Sequence, residues 1–249
     1  MDPLLISAAS GMRARMESLE MLANNLANSS TGGFKTDREF YSLYTAAEAA
    51  EPAAEGLAPD PDAAPVIQRH WTDLSQGSIR QTGNATDLAL DGSGFFTVNS
   101  PGGVLYTRNG SLKINAGGTL TTGEGYPLVT TDGKTITLQS SRPFEVSTNG
   151  TVTQDGQALG QLAIVNFPDQ TAIDKRGLNF FFSVDPKMKP QPAQAEVRQG
   201  TLEQSNVGSA ESAVRLVSVM RQFESLQKAM TIGVEMNRRA VEEVARVTQ

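Results

Sequence analysis

The chain has 249 residues, enough for one large domain or two smaller ones, and its 39% hydrophobic and 19% charged residues are typical of a folded protein. Its net charge of −6 argues against nucleic acid as the main partner, because phosphate binding needs clustered lysines and arginines. The absence of cysteine excludes disulfides, thiolate metal sites and cysteine nucleophiles.

A helix is predicted at the N-terminus, where Asp2 can cap it and Pro3 suits the first helical position. Its apolar residues are spaced alternately four and three apart, which is a heptad pattern. We call these positions the N-terminal seam: Leu5, Ala9, Met12, Met16, Leu19, Ala23 and Leu26. Thr31-Gly32-Gly33 ends the pattern, so residues 1–33 are predicted to form an N-terminal assembly helix.

Three asparagines, Asn24, Asn25 and Asn28, lie beside the seam near the end of this helix. Asparagine is a poor helix former because its side chain competes for backbone hydrogen bonds. One interpretation is fraying toward the helix end. The other, which we favour, is hydrogen bonding between subunits.

A connector is predicted over residues 34–75. Its stretch 45–65 holds nine alanines, four prolines, five acidic residues and no basic residue. Such a composition offers too little apolar surface to offset the entropy lost on ordering, so we expect a flexible or extended segment.

Residues 76–203 are predicted to form an antiparallel β domain of many short strands, arranged as a small sandwich or an irregular barrel. Hairpin dipeptides punctuate this region at Asn109-Gly110, Asp132-Gly133, Asn149-Gly150 and Asp155-Gly156. Apolar and polar residues alternate in 104–108 and 112–114, which predicts a hairpin around Asn109-Gly110.

Residues 204–249 are predicted to form a C-terminal assembly helix, capped by Ser209 and running to about Val247. Its heptad positions, which we call the C-terminal seam, are Ala213, Leu216, Met220, Phe223, Gln227, Met230, Val234, Asn237, Val241 and Val244. An apolar stripe left in water is unfavourable by roughly 25 cal/mol per Å², so each helix needs a partner. The alternative is that both helices pack on the β domain. The sustained 3.5-residue period favours pairing as a coiled coil, and the predicted fold class is α+β, with an antiparallel all-β domain inserted between the two helices.

No catalytic, cofactor-binding or metal site is predicted. Phosphate loops, serine elbows and zinc-protease motifs are missing from the sequence. Asp87 and Asp91 lie four apart and would face one side of a strand, so a glycosidase-like carboxylate pair is the enzyme alternative. We interpret them instead as an edge residue and a turn residue before Gly92.

Four segments resemble motifs of the flagellar rod and hook protein family. Residues 23–35 are similar to the N-terminal signature of that family, and residues 87–96 to its core strand motif. Residues 106–111, followed by 125–127, resemble its next hairpin, and residues 200–207 resemble the segment leading into the last helix. The matches follow the order of the family and extend from the first helix to the last.

The resemblance implies a structural subunit of the bacterial flagellar rod, a tube that transmits torque. Its partners would be itself and other rod and hook proteins, bound through the terminal helices. It also implies passage through the flagellar type III export apparatus without a cleaved signal peptide. Within the family, the Met-Asp-Pro-Leu-Leu start and Arg221–Glu224 are closer to the proximal rod protein, with the distal rod protein second.

We expect no nucleic acid partner and no membrane insertion, since no apolar run reaches the roughly 18 residues needed to span a bilayer. A surface adhesin with a coiled-coil stalk is a further alternative, but the N-terminus shows no leader pattern. The residues predicted to form the assembly interface are Leu5, Met12, Met16, Leu19, Asn24, Asn25, Leu26, Asn28, Leu216, Met220, Phe223, Met230, Val234 and Val241.

Overall fold

The computed structural model describes residues 3–41, 67–139, 142–184 and 188–247. The alanine- and proline-rich stretch 45–65 lies outside these residues. Contacts divide the chain into two compact units. The helical unit comprises Met1–Leu26, Asp37–Trp71 and Ser209–Gln249, and the β unit comprises Ala27–Thr36 and Thr72–Gly208.

The described part of the helical unit contains two long helices and one small sheet. Helix α1 spans Pro3–Ala27 and helix α2 spans Ser209–Val247. Beyond Pro3 at the start of α1, the chain has no proline over 4–51 and 193–249, and these two stretches contain both helices, so neither helix is interrupted. Strands β1 (Asp37–Tyr41) and β2 (Ile67–Thr72) pair with each other. Within the described residues, neither helix is long and apolar enough to cross a bilayer.

Within the described residues, the β unit is built from fifteen short strands and one 3₁₀ turn at Gln170–Ala172. The strands are β3 Ile79–Gln81, β4 Leu88–Asp91, β5 Phe95–Ser100, β6 Gly103–Thr107, β7 Lys113–Ile114, β8 Leu120–Thr121, β9 Phe144–Val146, β10 Thr151–Gln154, β11 Gln157–Gln161, β12 Ile164–Asn166, β13 Ile173–Arg176, β14 Phe180–Ser183, β15 Gln191–Pro192, β16 Glu196–Gln199 and β17 Thr201–Glu203.

The largest sheet of the β unit has six strands in the order β13-β14-β6-β5-β12-β15. A three-stranded sheet, β11-β10-β9, and the pairs β16-β4, β17-β3 and β7-β8 complete the described part of the unit. Every strand pairing described in this unit is antiparallel. The α+β class with an antiparallel β domain is therefore confirmed.

Two apolar clusters hold the β unit together, because alternate residues of β5 and β6 point to opposite faces of the sheet. Phe96 and Leu105 belong to the larger cluster, with Leu88 and Leu90 of β4. Phe95 and Tyr106 belong to a smaller, mainly aromatic cluster, in which their rings contact Phe167.

Two of the predicted tight turns join paired neighbouring strands. Asn149-Gly150 connects β9 to β10, and Asp155-Gly156 connects β10 to β11. Asp155 and Gly156 both have positive φ, at 53° and 76°, as a type I′ turn requires.

The hairpin predicted around Asn109-Gly110 is wrong. Strand β6 pairs with β5 and β14, whereas β7 pairs with β8. The dipeptide instead runs against β4, where the Leu88 amide donates to the Gly110 carbonyl oxygen at 3.0 Å. A Cβ atom on Gly110 would lie 1.6 Å from the Leu88 oxygen. Glycine is needed here for a close backbone approach and not for a hairpin turn.

Candidate functional site

Helix α2 buries only one side of its apolar stripe within the helical unit. Val219 is buried, and Leu216, Phe223, Leu226 and Met230 are half-buried. Their spacing of three and four residues defines a face centred near Val219 and Leu226, one position before Met220 and Gln227 of the predicted seam. The face that the single helix buries thus shares Leu216, Phe223 and Met230 with the predicted seam and differs from it at Val219 and Leu226.

Helix α1 shows the same offset. Its buried residues are Ser18, Leu22 and Asn25, whereas the seam residue Ala23 is exposed. A Cβ atom on Gly11 would lie 3.9 Å from Leu226 Cδ1 of α2, so the two helices approach each other closely here.

The described seam residues predicted to form the interface are therefore only partly buried. Met12, Leu19, Leu26, Leu216, Phe223 and Met230 are half-buried. Met16, Met220 and Val234 are 50%, 46% and 53% exposed. The side chains of Leu5 and Val241 lie outside the described part of the helices. The single chain thus leaves one edge of each heptad stripe in contact with water.

The three asparagines differ in their surroundings. Asn25 is buried, its Nδ2 donates to the Asp37 carbonyl oxygen at 2.7 Å, and its Oδ1 accepts from the Asp37 amide at 3.1 Å. These contacts within one chain account for the burial of Asn25 without a second subunit. Asn28 is also buried and accepts from the Thr31 hydroxyl at 3.3 Å, whereas Asn24 is exposed.

A buried ion cluster in the β unit was not predicted from the sequence. Glu203 is fully buried and accepts from Lys35 Nζ at 2.6 Å and from Arg108 Nη1 at 3.2 Å. The Gly77 amide donates to the same carboxylate at 3.0 Å. Lys35 also donates to the Ser75 carbonyl oxygen at 2.7 Å. Two cationic side chains and one carboxylate are thus buried together, out of contact with solvent.

This cluster joins four of the motif segments that carry the family resemblance, all but residues 125–127. Lys35 belongs to residues 23–35, Arg108 to residues 106–111 and Glu203 to residues 200–207. Arg108 also donates through Nη1 to the Leu90 carbonyl oxygen at 3.3 Å and through Nη2 to that of Gly92 at 2.5 Å, which brings in residues 87–96. The motifs were a usable signal, because they contain the charged residues that the fold brings together.

Burial dominates the electrostatics of the cluster. It lowers the pKa of Lys35, and attraction to Glu203 offsets part of that effect. Burial likewise lowers the pKa of Arg108, again opposed by Glu203. The cluster therefore stabilises the fold only as a complete set, since loss of the carboxylate would leave two buried cations without a counter-charge.

The carboxylate pair of the enzyme alternative is occupied by structural contacts. Asp87 is buried and accepts from Asn84 Nδ2 at 3.2 Å. Asp91, at the far end of β4, lies 2.5 Å from Arg198 Nη2. Within the described residues, no group of three or more His, Asp or Glu side chains is placed to hold a metal ion.

Three family models match the chain in order. The model for flagella basal body rod proteins matches residues 5–35, that for the flagellar hook protein FlgE/F/G D1 domain matches 89–157, and that for the flagellar basal body rod FlgEFG protein C-terminal matches 198–243.

Curated proteins are similar over nearly the whole chain. The flagellar basal-body rod protein FlgF of Caulobacter vibrioides is 33% identical, over 99% of this chain and 100% of that protein. The flagellar basal-body rod protein FlgG of Agrobacterium fabrum is 32% identical, over 93% of this chain and 95% of its own. FlgG of Bacillus subtilis is 30% identical, with the same coverage of each chain.

Proposed function

Because this chain belongs to the family of flagellar basal-body rod proteins and is a structural subunit of the rod, we propose that it polymerises through its two terminal helices. In this proposal, residues 1–33 and 204–249 are assembly segments that pair as a coiled coil, 34–75 are a connector, and 76–203 are the β domain between them. Other rod and hook proteins would bind through the same helices.

The observation that carries this proposal is the exposed edge of both heptad stripes. A side chain of the size of methionine or valine contributes about 1.5–3 kcal/mol when it is fully buried. Met16, Met220 and Val234 are each about half exposed, so about half of that contribution is still available to a contact with another subunit. A heptad repeat on two helices is the pattern by which helices pack against further helices.

The test is a charge placed on the exposed edge. Met220→Asp should fold, because Met220 is 46% exposed, but should not be incorporated into basal bodies. The matched control is Gln222→Asp, which adds the same charge at an exposed position of α2 away from the seam. Incorporation is measured by immunoblotting purified basal bodies. Normal incorporation of both variants would contradict the proposal.

We propose the proximal part of the rod as the location. The N-terminal sequence and Arg221–Glu224 support it, as does the match with FlgF of Caulobacter vibrioides over the full length of both chains. The distal rod is the second candidate, because FlgG proteins are almost as similar. Deletion of the gene, followed by electron microscopy of basal bodies, distinguishes a proximal from a distal location. Rods truncated near the membrane base indicate the proximal subunit, and rods truncated farther out indicate the distal one.

The remaining parts of the proposal follow from the family. The subunit would have no catalytic activity, would be exported by the flagellar type III apparatus without a cleaved signal peptide, and would lie in the rod as it spans the periplasm. The engaged states of Asp87 and Asp91 support a structural function for these carboxylates. The absence of cleavage during export is tested by the size of the protein in basal bodies, which should equal that of the full 249-residue chain.

A further inference from the structure

The chain enters and leaves the β unit at neighbouring positions, joined by what we call the clasp: residues 33–36 and 203–206. The Gly33 amide donates to the Glu203 carbonyl oxygen at 2.8 Å, and Lys35 Nζ contacts the Glu203 carboxylate at 2.6 Å. The Thr36 amide and hydroxyl both donate to Asn206 Oδ1 at 2.8 Å. The partners are about 170 positions apart in sequence, so these contacts form only when the two ends of the β unit meet.

The clasp is separate from the apolar core of the β unit. Neither apolar cluster includes a residue of 33–36 or 203–206. Phe34 is buried, but it is covered by the ammonium group of Lys175, which lies 4.3 Å from its ring. The clasp therefore combines polar and charged contacts with the burial of Phe34, and its opening would leave both apolar clusters in place.

Glu203 is central to the clasp because it contacts both buried cations. Its carboxylate binds Lys35 and Arg108, and its backbone oxygen binds Gly33. Breaking a buried pair by removing one partner is far more destabilising than breaking an exposed pair, since the remaining charge stays desolvated. An exposed pair such as Arg198–Asp91 contributes little by comparison.

We infer that the two halves of the clasp become ordered together, and we call this arrangement the lock. Residues 33–36, which follow α1, become ordered only when residues 203–206, which precede α2, are docked beside them. A chain with both segments in place then has both ends of the β unit fixed beside each other. A chain with an open clasp keeps its β core but is not competent for assembly. The claim that an open clasp prevents assembly rests on the proposed function, whereas the claim that the two segments order together does not.

The lock is tested on the full-length chain by limited digestion with trypsin. The side chain of Lys35 is fully buried, so the bond after it is protected, whereas Lys134 in an exposed turn serves as the internal reference. Glu203→Gln should accelerate cleavage after Lys35 at least about 10-fold and leave cleavage after Lys134 unchanged. The control, Arg198→Gln, breaks an exposed ion pair and should change neither rate. Unchanged cleavage after Lys35 in Glu203→Gln would overturn the inference.

A second variant covers the case in which Glu203→Gln unfolds and all sites are cleaved faster. Asn206→Ala removes the neutral contacts to Thr36 without leaving a charge buried. It should accelerate cleavage after Lys35 several-fold relative to Lys134. Equal acceleration at the two sites, or none, would overturn the inference.

The consequence for assembly is scored separately by incorporation into basal bodies. Asn206→Ala should reach the basal-body fraction at least about fivefold less than the wild type does. If it opens the clasp yet is incorporated normally, the claim that assembly needs a closed clasp is wrong. If the wild-type chain itself is not found in basal bodies, the proposed function fails, and the digestion result still decides whether the lock exists.

Discussion

Gly110→Ala should destabilise the β unit by about 1.5–4.5 kcal/mol. The new methyl group would lie 1.6 Å from the Leu88 carbonyl oxygen, and relief of this contact requires β4 to move by about 1.5 Å. The movement would break the hydrogen bond from the Leu88 amide to Gly110, which contributes about 0.5–1.5 kcal/mol. It would also displace Leu88 and Leu90, both fully buried, from the larger apolar cluster, at about 1–3 kcal/mol.

Urea unfolding followed by circular dichroism measures this change. With a slope of about 2 kcal/mol per M, the midpoint should fall by roughly 0.8–2.2 M. Gly123→Ala is the matched control, because nothing lies within 4 Å of its added Cβ atom and its φ is not positive, so its midpoint should barely move. Equal midpoints for the two variants would refute the close approach.

Three other predictions concern self-association, pH and catalysis. Replacing Met16 and Met220 with Gln and Val234 with Thr should weaken self-association about 100-fold, because three half-exposed side chains contribute about 1 kcal/mol each; sedimentation of polymerising protein measures it. Burial lowers the pKa of Lys35 in the folded state below its ordinary value of 10.5. The stabilising contribution of Lys35 to the free energy of unfolding is therefore fully present above pH 10.5, and it is lost as the pH falls through the folded pKa. The difference in unfolding free energy between wild type and Lys35→Met should therefore rise with pH in that window, by at most about 1.4 kcal/mol per pH unit, and a fall would contradict it. Cells that carry the Asp91→Asn variant should swim normally in a soft-agar assay. Loss of motility with intact rods would reopen the enzyme alternative.

The helices were the most predictable elements, since the absence of proline and the heptad spacing act locally. Helix α2 runs from Ser209 to Val247, as the sequence predicts. The side that each helix buries was not predictable from the spacing, because an apolar stripe wider than one heptad position is compatible with two neighbouring faces. Ser18 and Asn25 are buried although they are polar, and the Asn25 amide is satisfied by the backbone of Asp37, which lies beyond the end of α1.

The ion cluster could not be derived from local pattern, because Lys35 and Glu203 are 168 positions apart. The family resemblance marked the segments as important without showing that they meet. The role of Gly110 was mistaken for a similar reason. An Asn-Gly dipeptide is a strong turn signal, and the need for a close approach to β4 becomes visible only when the strands are paired.

The most direct test of polymerisation through the helices is the accessibility of a thiol at the exposed edge. The chain has no cysteine, so Met220→Cys introduces a single reactive group, and Lys134→Cys provides a reference on the β unit. In the free subunit both should react with a maleimide. In purified basal bodies the thiol at position 220 should be protected at least about 10-fold relative to the free subunit, because a neighbouring helix covers it. Equal reactivity at position 220 in the free and assembled protein would contradict the account.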